Sequence, residues 1–217
     1  MAQNWGLAMR FKKANLLGFV ILLFFLACEN HIIERCASDY FPLAQGNWWR
    51  YVSNDDTLMV EVEPRDTILH VECFPVSFGG NIEYLAKSSE SIVEYVEIVY
   101  NFSGQDYTII EDFIMRIETP LVDGNTWEDL LIDSLNVSGA WIKAKYYVNG
   151  RITGFAYADD YEGDVYTIEL ETIETLMSPD TMIIDTSHVT EDYAPNTGLV
   201  RFHNEAGEYN LIEYDIQ

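Results

Sequence analysis

The chain has 217 residues, of which 36 are acidic and 12 are basic, so its formal net charge is −24 at pH 7. An anionic surface of this size repels nucleic acid and anionic headgroups, which excludes both as expected electrostatic partners. Apolar residues make up 48% of the chain and occur along its whole length, which favours one globular domain with a substantial core.

The N-terminus has the organisation of a secretion signal. Basic residues at Arg10, Lys12 and Lys13 precede the apolar run Leu16–Ala27. This run is much shorter than the roughly twenty apolar residues that a transmembrane helix needs, and its basic start is typical of a signal peptide. The sequence therefore predicts a signal peptide over residues 1–27.

The end of the apolar run, Phe25-Leu26-Ala27-Cys28, resembles the lipobox of bacterial lipoproteins. In that family a signal peptidase cuts before the cysteine, which then carries the lipid. The resemblance implies acylation of Cys28, for example with palmitate, and export across the inner membrane. It also implies anchoring in the cell envelope, with the outer membrane as the expected location. An ordinary signal peptide or an uncleaved anchor is the alternative.

Cleavage before Cys28 would make the protein still more acidic. It would remove three basic residues and no acidic residue, leaving 190 residues with nine basic and 36 acidic side chains, a formal charge of −27. Each buried methylene of an acyl chain contributes about 0.8 kcal/mol, so a lipid on Cys28 would hold this anionic chain at a membrane. Residues 28–39 are polar and aperiodic, which predicts a lipidated tether before a single domain over 40–217.

The pattern after the tether predicts strands almost throughout. Thr67–Phe74 alternates, with the side chains of Leu69, Val71 and Cys73 on one face. Enrichment in β-branched and aromatic residues predicts further strands. These are Ile92–Tyr100, Tyr107–Ile117, Val165–Glu171 and Tyr209–Ile216. The expected fold is mainly β, an antiparallel curved sheet or half-barrel with at most one or two short helices, and a β-sandwich of two similar units is the alternative.

An octapeptide occurs twice with five identical positions. Pro42–Trp49 reads PLAQGNWW and Pro120–Trp127 reads PLVDGNTW. In each copy Gly-Asn permits a tight turn and the final tryptophan can fill one end of a core. The match predicts an internal repeat, 42–117 and 120–217, and a coincidence of common turn residues is the alternative.

Two local patterns make narrower predictions. The spacing of Trp127, Leu130 and Leu131 after Thr126 fits a short helix with a capping box, although the same segment also fits a strand. Asn149-Gly150 predicts a two-residue type I′ turn, because both residues tolerate positive φ. That turn would place Lys143 and Lys145 opposite Ala156 and Gly154, on a face directed to solvent or to a wide groove. The acidic run 159–164 predicts a solvated hairpin turn.

The segments at the two ends of the domain resemble a group of envelope lipoproteins. Tyr40–Tyr51 and Tyr193–Arg201 resemble uncharacterised proteins that open with PL-x-x-GN-x-W-x-Y and close with GLV. Those proteins are similar to antiparallel half-barrels of the LolA and TapB-like kind. The resemblance implies a curved sheet with a concave apolar face, and it carries over no catalytic residue.

The sequence contains no motif that indicates a catalytic or cofactor site. The four histidines, His31, His70, His188 and His203, have no metal-ligand spacing, and there is no nucleophile elbow, P-loop or dinucleotide fingerprint. We therefore expect no enzyme activity, no metal and no cofactor. A cluster of carboxylates lining a concave pocket would favour an enzyme instead.

Two functions fit these observations. The first is a lipid-anchored binding or interaction module for a hydrophobic ligand or an envelope partner, and the second is a structural or accessory lipoprotein without a small-molecule ligand. Lipidation of Cys28 would leave Cys36 and Cys73 as an even pair in an oxidising compartment, which predicts a disulfide between them. A free buried thiol at Cys73 is the alternative.

Overall fold

The structure, a computed structural model, describes residues 39–54 and 56–217, and Asp39–Gln217 form one compact unit. The predicted signal peptide, the lipidation site Cys28, most of the predicted tether and Cys36 lie outside the described residues.

The described residues form thirteen strands. They are β1 (Trp48–Ser53), β2 (Asp56–Val62), β3 (Asp66–Ile68), β4 (Val71–Phe78), β5 (Asn81–Lys87), β6 (Ser91–Phe102), β7 (Gln105–Glu118), β8 (Thr126–Val137), β9 (Ala140–Ala158), β10 (Gly163–Met177), β11 (Met182–Ala194), β12 (Gly198–Asn204) and β13 (Gly207–Asp215). One short 3₁₀ turn, Asp159–Tyr161, joins β9 to β10.

Twelve of these strands follow one path through an antiparallel sheet. The order is β7-β6-β5-β4-β2-β1-β13-β12-β11-β10-β9-β8, and β3 pairs with β4 beside it. The two end strands approach each other where the Met115 N–H donates to the Asp129 carboxylate at 2.8 Å. The sheet is therefore nearly closed and barrel-like, which confirms the predicted mainly β, curved antiparallel fold.

The interior contains two apolar clusters. The first includes Trp49, Tyr51 and Trp127, and the second lies between the β6–β7 and β8–β9 hairpins and includes Ile142. On β7, Ile114 belongs to the second cluster, and Met115 and Ile117 pack with the first. Arg116 thus lies where the two clusters meet, so a charged side chain enters the interior at their boundary.

The first octapeptide, Pro42–Trp49, closes as a turn beside β2. The Gly46 N–H donates to the Val62 carbonyl at 2.9 Å, and the Val62 N–H donates to the Asn47 carbonyl at 2.9 Å. Gly46 has a φ of +86°, a conformation that favours glycine.

The second octapeptide, Pro120–Trp127, makes the same bonds with β9. The Gly124 N–H donates to the Ile152 carbonyl at 3.1 Å, the Ile152 N–H donates to the Asn125 carbonyl at 2.9 Å, and Gly124 has a φ of +83°. The two octapeptides are therefore equivalent turns. The division of the chain into repeats 42–117 and 120–217 remains a prediction.

The tryptophans at the ends of the two octapeptides also occupy similar environments. Trp49 and Trp127 are each 5% exposed. The Trp49 indole N–H donates to the Thr197 carbonyl at 2.6 Å, and the Trp127 indole N–H donates to the Arg116 carbonyl at 2.9 Å. Each indole therefore links its own strand to another segment through a hydrogen bond, which is buried for Trp49 and partly buried for Trp127.

The predicted turn at Asn149-Gly150 is wrong. Both residues lie inside the 19-residue strand β9, and Gly150 is opposite Trp127 on β8 and Leu170 on β10. A Cβ at position 150 would lie 2.2 Å from the Trp127 ring, so this glycine provides space for the ring and the chain does not turn there. Lys143 and Lys145 accordingly pair with β8 and β10, not with the later part of β9.

Two other local predictions need correction. The segment beginning at Thr126 is a strand, so the helical alternative is wrong, and its apolar residues are shared between the two faces of β8. Thr67–Phe74 is not one strand, because Leu69 and His70, with φ of +49° and +69°, form a two-residue turn between β3 and β4. Leu69 is consequently 45% exposed. No turn residue such as Gly or Asn marks this position in the sequence.

Candidate functional site

The first apolar cluster surrounds a cavity of about 70 Å³. It is lined by residues of strands that face each other across the interior of the sheet, and most of these residues are apolar. The lining is Tyr40, Phe41, Pro42, Leu43, Trp49, Tyr51, Val60, Val76, Phe78, Glu83, Leu85, Ile92, Arg116, Ile117, Glu191, Tyr193, Gly198 and Leu199. A mainly apolar, concave site with a few polar groups is the general form of a small-molecule site.

The segment before β1 covers one side of this cavity. Phe41 is 8% exposed, and its ring lies 4.7 Å from the Tyr193 ring. Lys87 holds the segment, because its ammonium donates to the Phe41 carbonyl at 2.9 Å and pairs with the Asp39 carboxylate. The Asn196 N–H donates to the Asp39 carbonyl at 2.6 Å. Side-chain and backbone contacts thus hold this segment against one side of the cavity.

A guanidinium with three carboxylates forms the polar part of the site. Arg116 on β7 contacts Glu83 on β5 at 3.1 Å, Glu94 on β6 at 3.1 Å and Glu191 on β11 at 2.7 Å. Its side chain is 19% exposed, and that of Glu191 is 3% exposed. The Tyr193 hydroxyl donates to the other oxygen of Glu191 at 2.9 Å. These contacts connect β7 to β11 across the interior.

The surroundings shift the pKa values of this cluster. Burial raises the pKa of Glu83, while the Arg116 charge lowers it and Glu94 and Glu191 raise it further. Burial alone would lower the pKa of Arg116, but the three carboxylates outweigh it and hold that pKa well above its usual value. Burial and the Glu191 charge raise the pKa of Tyr193. Arg116 therefore remains charged, and the net effect on Glu83 is a raised pKa.

Chemically, the site can enclose an apolar group and offer hydrogen bonds at one side. Glu83 and Glu191 line the cavity as possible acceptors, and Arg116 supplies donors. Three carboxylates around one guanidinium carry more negative than positive charge when all are ionised, which disfavours an anionic ligand group there.

The sequence analysis did not identify this site. Its four charged residues lie on four strands, between 11 and 108 positions apart along the chain, so only the fold brings them together. The one available signal is Arg116 itself, a basic residue in the segment IIEDFIMRIE of β7 between two apolar residues, the half-buried Met115 and the buried Ile117. An alternating strand with a charge next to its buried face can indicate a buried ion pair.

The sequence-predicted site residues lie elsewhere or outside the described residues. Cys73 on β4 is fully buried, and its thiol donates to the Val71 carbonyl at 3.3 Å. Burial raises the pKa of this thiol. Cys28 and Cys36 are not among the described residues, so lipidation and the Cys36–Cys73 disulfide remain predictions.

The described histidines do not converge. His70 is in the β3–β4 turn, His203 is exposed on β12, and the His188 imidazole lies 3.8 Å from the Glu171 carboxylate. Over residues 39–54 and 56–217, no three His, Cys, Asp or Glu side chains are arranged to hold a metal ion. None of the helices described here is long and apolar enough to cross a membrane.

Comparisons with known proteins identify no family. No protein-family model and no curated protein matches the sequence. Among solved structures, the fold is similar to the crystal structure of a putative lipoprotein from Parabacteroides distasonis, with 14% identity and a TM-score of 0.42. The similar region covers 82% of this chain and 99% of that protein.

Proposed function

We propose that this chain is a lipid-anchored cell-envelope protein whose barrel-like domain binds a small, mainly apolar ligand without transforming it. The cavity beside Arg116 is the observation that carries the proposal. Its apolar lining would desolvate the ligand, and Glu83 and Glu191 would orient one polar group. Because the carboxylates exceed the guanidinium, that group is expected to be a neutral donor or a cation.

The size of the cavity limits the ligand. A volume of about 70 Å³ is several times the roughly 10–15 Å³ that one water molecule needs. It therefore fits a small molecule or the end of a longer apolar chain. Residues 40–43, which Lys87 holds through Asp39 and Phe41, border the site on one side.

An enzyme is the second candidate, because carboxylates do line this concave pocket and burial raises the pKa of Glu83. A carboxylate pair that cleaves a glycosidic bond needs the substrate between its two members. Here Arg116 contacts both Glu83 and Glu191 and so occupies the space between them. This arrangement favours binding over acid–base catalysis.

Xenon and benzene are suitable probes of the cavity, since both enter small apolar cavities in proteins. We expect a saturable change in the ¹²⁹Xe shift, and a rise in melting temperature with benzene, for the unmodified protein. Val76→Phe places a larger side chain at a lining residue that is 3% exposed, so it should abolish both responses. The control Ile82→Phe lies on β5 at a residue that is 52% exposed and should retain them.

Folding is checked separately. If Val76→Phe does not fold, Leu85→Ala serves instead, because it enlarges the same cavity and should strengthen the xenon response. No saturable response in the unmodified protein would contradict a ligand cavity and favour the accessory lipoprotein without a ligand. Native mass spectrometry of protein extracted from envelopes would then show whether a small molecule remains bound.

The anchor has its own test. Cys28→Ser removes the predicted acylation site, so the protein should leave the membrane fraction or accumulate unprocessed. Cys36→Ser is the matched control, since it removes a nearby cysteine that the lipobox does not include, and it should stay with the membrane. Fractionation and the mass of the N-terminal peptide measure both. Normal cleavage and full membrane retention of Cys28→Ser would contradict the anchor.

A further inference from the structure

The turn between β3 and β4 exposes apolar side chains. Leu69, in the turn, is 45% exposed, and Val71, which begins β4, is 37% exposed. Neither residue belongs to the two apolar clusters of the interior. Single exposed apolar residues are normal in proteins, but here two of them lie on either side of one turn residue. Burial in the interior therefore does not explain why this turn is apolar.

The Leu69-His70 turn has an unfavourable backbone for its residues. Both have positive φ, at +49° and +69°. A residue with a Cβ is disfavoured in this conformation, whereas glycine adopts it freely, so two-residue hairpins of this kind favour Asn-Gly. Three other hairpin turns among the described residues also have two positive φ values, and each ends in glycine: Gly79-Gly80, Ser103-Gly104 and Ser138-Gly139. The Leu69-His70 turn therefore keeps an exposed leucine at a cost in stability, which indicates a functional contact.

The turn lies at the end of the sheet where the chain enters the domain. Asp39 is the first described residue, and its carboxylate pairs with Lys87 at the end of β5. β5 lies beside β4, with Leu85 opposite Phe74. Continuing this register by two residues brings Lys87 level with Glu72, which follows the turn closely. The point at which the chain enters the domain is therefore next to the β3–β4 hairpin.

The connections at the opposite end of the sheet have a different composition. Within the part of the chain that the structure describes, none of them contains Leu, Ile, Val, Met or an aromatic residue. They are Asn54, Gly79-Gly80, Ser103-Gly104, Ser138-Gly139, 178–181 and Glu205-Ala206. Apolar residues that are exposed near that end, such as Met182, lie within strands. A surface that meets the domain end-on touches the connections first, so the entry end is the better suited to an apolar surface.

We propose that the 69–71 turn is a membrane-contact site, which holds the entry end of the domain on a lipid surface; this inference rests on the anchor at Cys28 proposed above. Eleven residues, 28–38, separate that anchor from the domain at most by about 40 Å. The bilayer is therefore within reach of the turn. Apolar side chains of peripheral proteins bind at the boundary between headgroups and acyl chains. Because the chain is strongly acidic, the surface is zwitterionic lipid and not anionic lipid.

Fluorescence of the acylated protein in phosphatidylcholine vesicles tests the contact. Leu69→Cys carries an environment-sensitive dye, and the control Ile82→Cys carries the same dye at a residue that is 52% exposed near the opposite end of the sheet. Both variants also contain Cys36→Ser, and the remaining Cys73 is buried. On reconstitution we expect a blue shift of the emission and strong quenching by brominated lipid at position 69, and neither change at position 82. Addition of phosphatidylglycerol should weaken the quenching at position 69.

A second variant separates the lipid contact from folding. Leu69→Asn combined with His70→Gly introduces the pair that a hairpin turn of this geometry favours, so the melting temperature should rise. The dye at Val71→Cys should be quenched by brominated lipid in the unmodified turn and should lose that quenching in the combined variant. A stabilised turn that no longer contacts lipid would show that Leu69 and His70 are not there for folding.

The outcomes distinguish this inference from the anchor on which it rests. Equal quenching at positions 69 and 82, or quenching that the combined variant leaves unchanged, in protein that stays with the vesicles would overturn the contact and leave the anchor intact. A blue shift at position 69 without quenching by lipid would indicate a protein partner and also overturn it. A lower melting temperature of the combined variant would assign the turn to folding. An unacylated protein that stays in solution would overturn both proposals.

Discussion

Replacing Arg116 by methionine is expected to destabilise the domain at pH 7.5 by about 3–5 kcal/mol, because removal of one partner leaves buried charges uncompensated. Glu191, with a side chain that is 3% exposed, would lose its 2.7 Å contact with the guanidinium, and Glu83 and Glu94 would lose theirs. Chemical denaturation monitored by tryptophan fluorescence measures the change. Arg116→Lys, which keeps the charge but not the planar fork, should have an intermediate effect.

The loss of folding stability caused by Arg116→Met should be smaller at pH 5 than at pH 7.5. Without the guanidinium, burial and mutual repulsion hold the pKa of Glu83 higher still in the folded state. A carboxyl whose folded pKa exceeds its unfolded value loses stability as the pH rises through the interval between the two values. The variant therefore regains stability in acid, where its carboxyls take up protons before unfolding.

A charge-neutral control separates this cause from lost packing. Combining Arg116→Met with Glu83→Gln, Glu94→Gln and Glu191→Gln removes the uncompensated charges and should recover much of the stability, with little dependence on pH. If the single and the combined variants are equally unstable, or if the single variant is least stable at pH 5, uncompensated charge is not the cause.

The sequence predicted the strands but not where the chain turns within them. Enrichment in β-branched and aromatic residues located β6, β7, β10 and β13, because that property depends on local neighbours. The Leu69-His70 turn was missed, since it uses residues that seldom adopt positive φ and contains no turn residue. Strand register and turn position depend on contacts between residues that are far apart in the chain, such as the contact of the Trp127 ring with Gly150. The local sequence does not contain this information.

The candidate site could not be predicted from the sequence for the same reason, because its residues are far apart in the chain. The octapeptides were recognised because each contains its whole turn within eight residues, and the structure gives both the same hydrogen bonds. The Arg116 cluster could not be found in this way. Glu83 and Glu191 are brought to it by strands on opposite sides of the sheet, and the sequence contains no motif that joins them. The cavity is likewise formed by the nearly closed sheet as a whole and by no single segment.

Replacing Gly150 by alanine is expected to destabilise the domain by about 3 kcal/mol or more. The added Cβ would lie 2.2 Å from two ring atoms of Trp127, and neither partner can move freely. The Trp127 ring is 5% exposed and its indole N–H donates to the Arg116 carbonyl at 2.9 Å. Overpacking of a core typically costs about 1–3 kcal/mol, and the strained hydrogen bond adds about 1 kcal/mol. Denaturant unfolding and near-ultraviolet circular dichroism of the tryptophans measure the effect.

Gly154→Ala is the matched control in the same strand. Nothing lies within 4 Å of a Cβ built at that position, so we expect no loss and a gain of up to about 0.5 kcal/mol from reduced backbone freedom in the unfolded chain. In a double-mutant cycle, Gly150→Ala should cost much less when Trp127 is already leucine, because the ring that it strikes is absent. Equal losses at the two glycines, or additive losses in the cycle, would mean that strand propensity and not the Trp127 ring explains the glycine at position 150. Although Asn149-Gly150 resembles a turn in the sequence, we thus expect Gly150 to be required because it leaves space for the Trp127 ring.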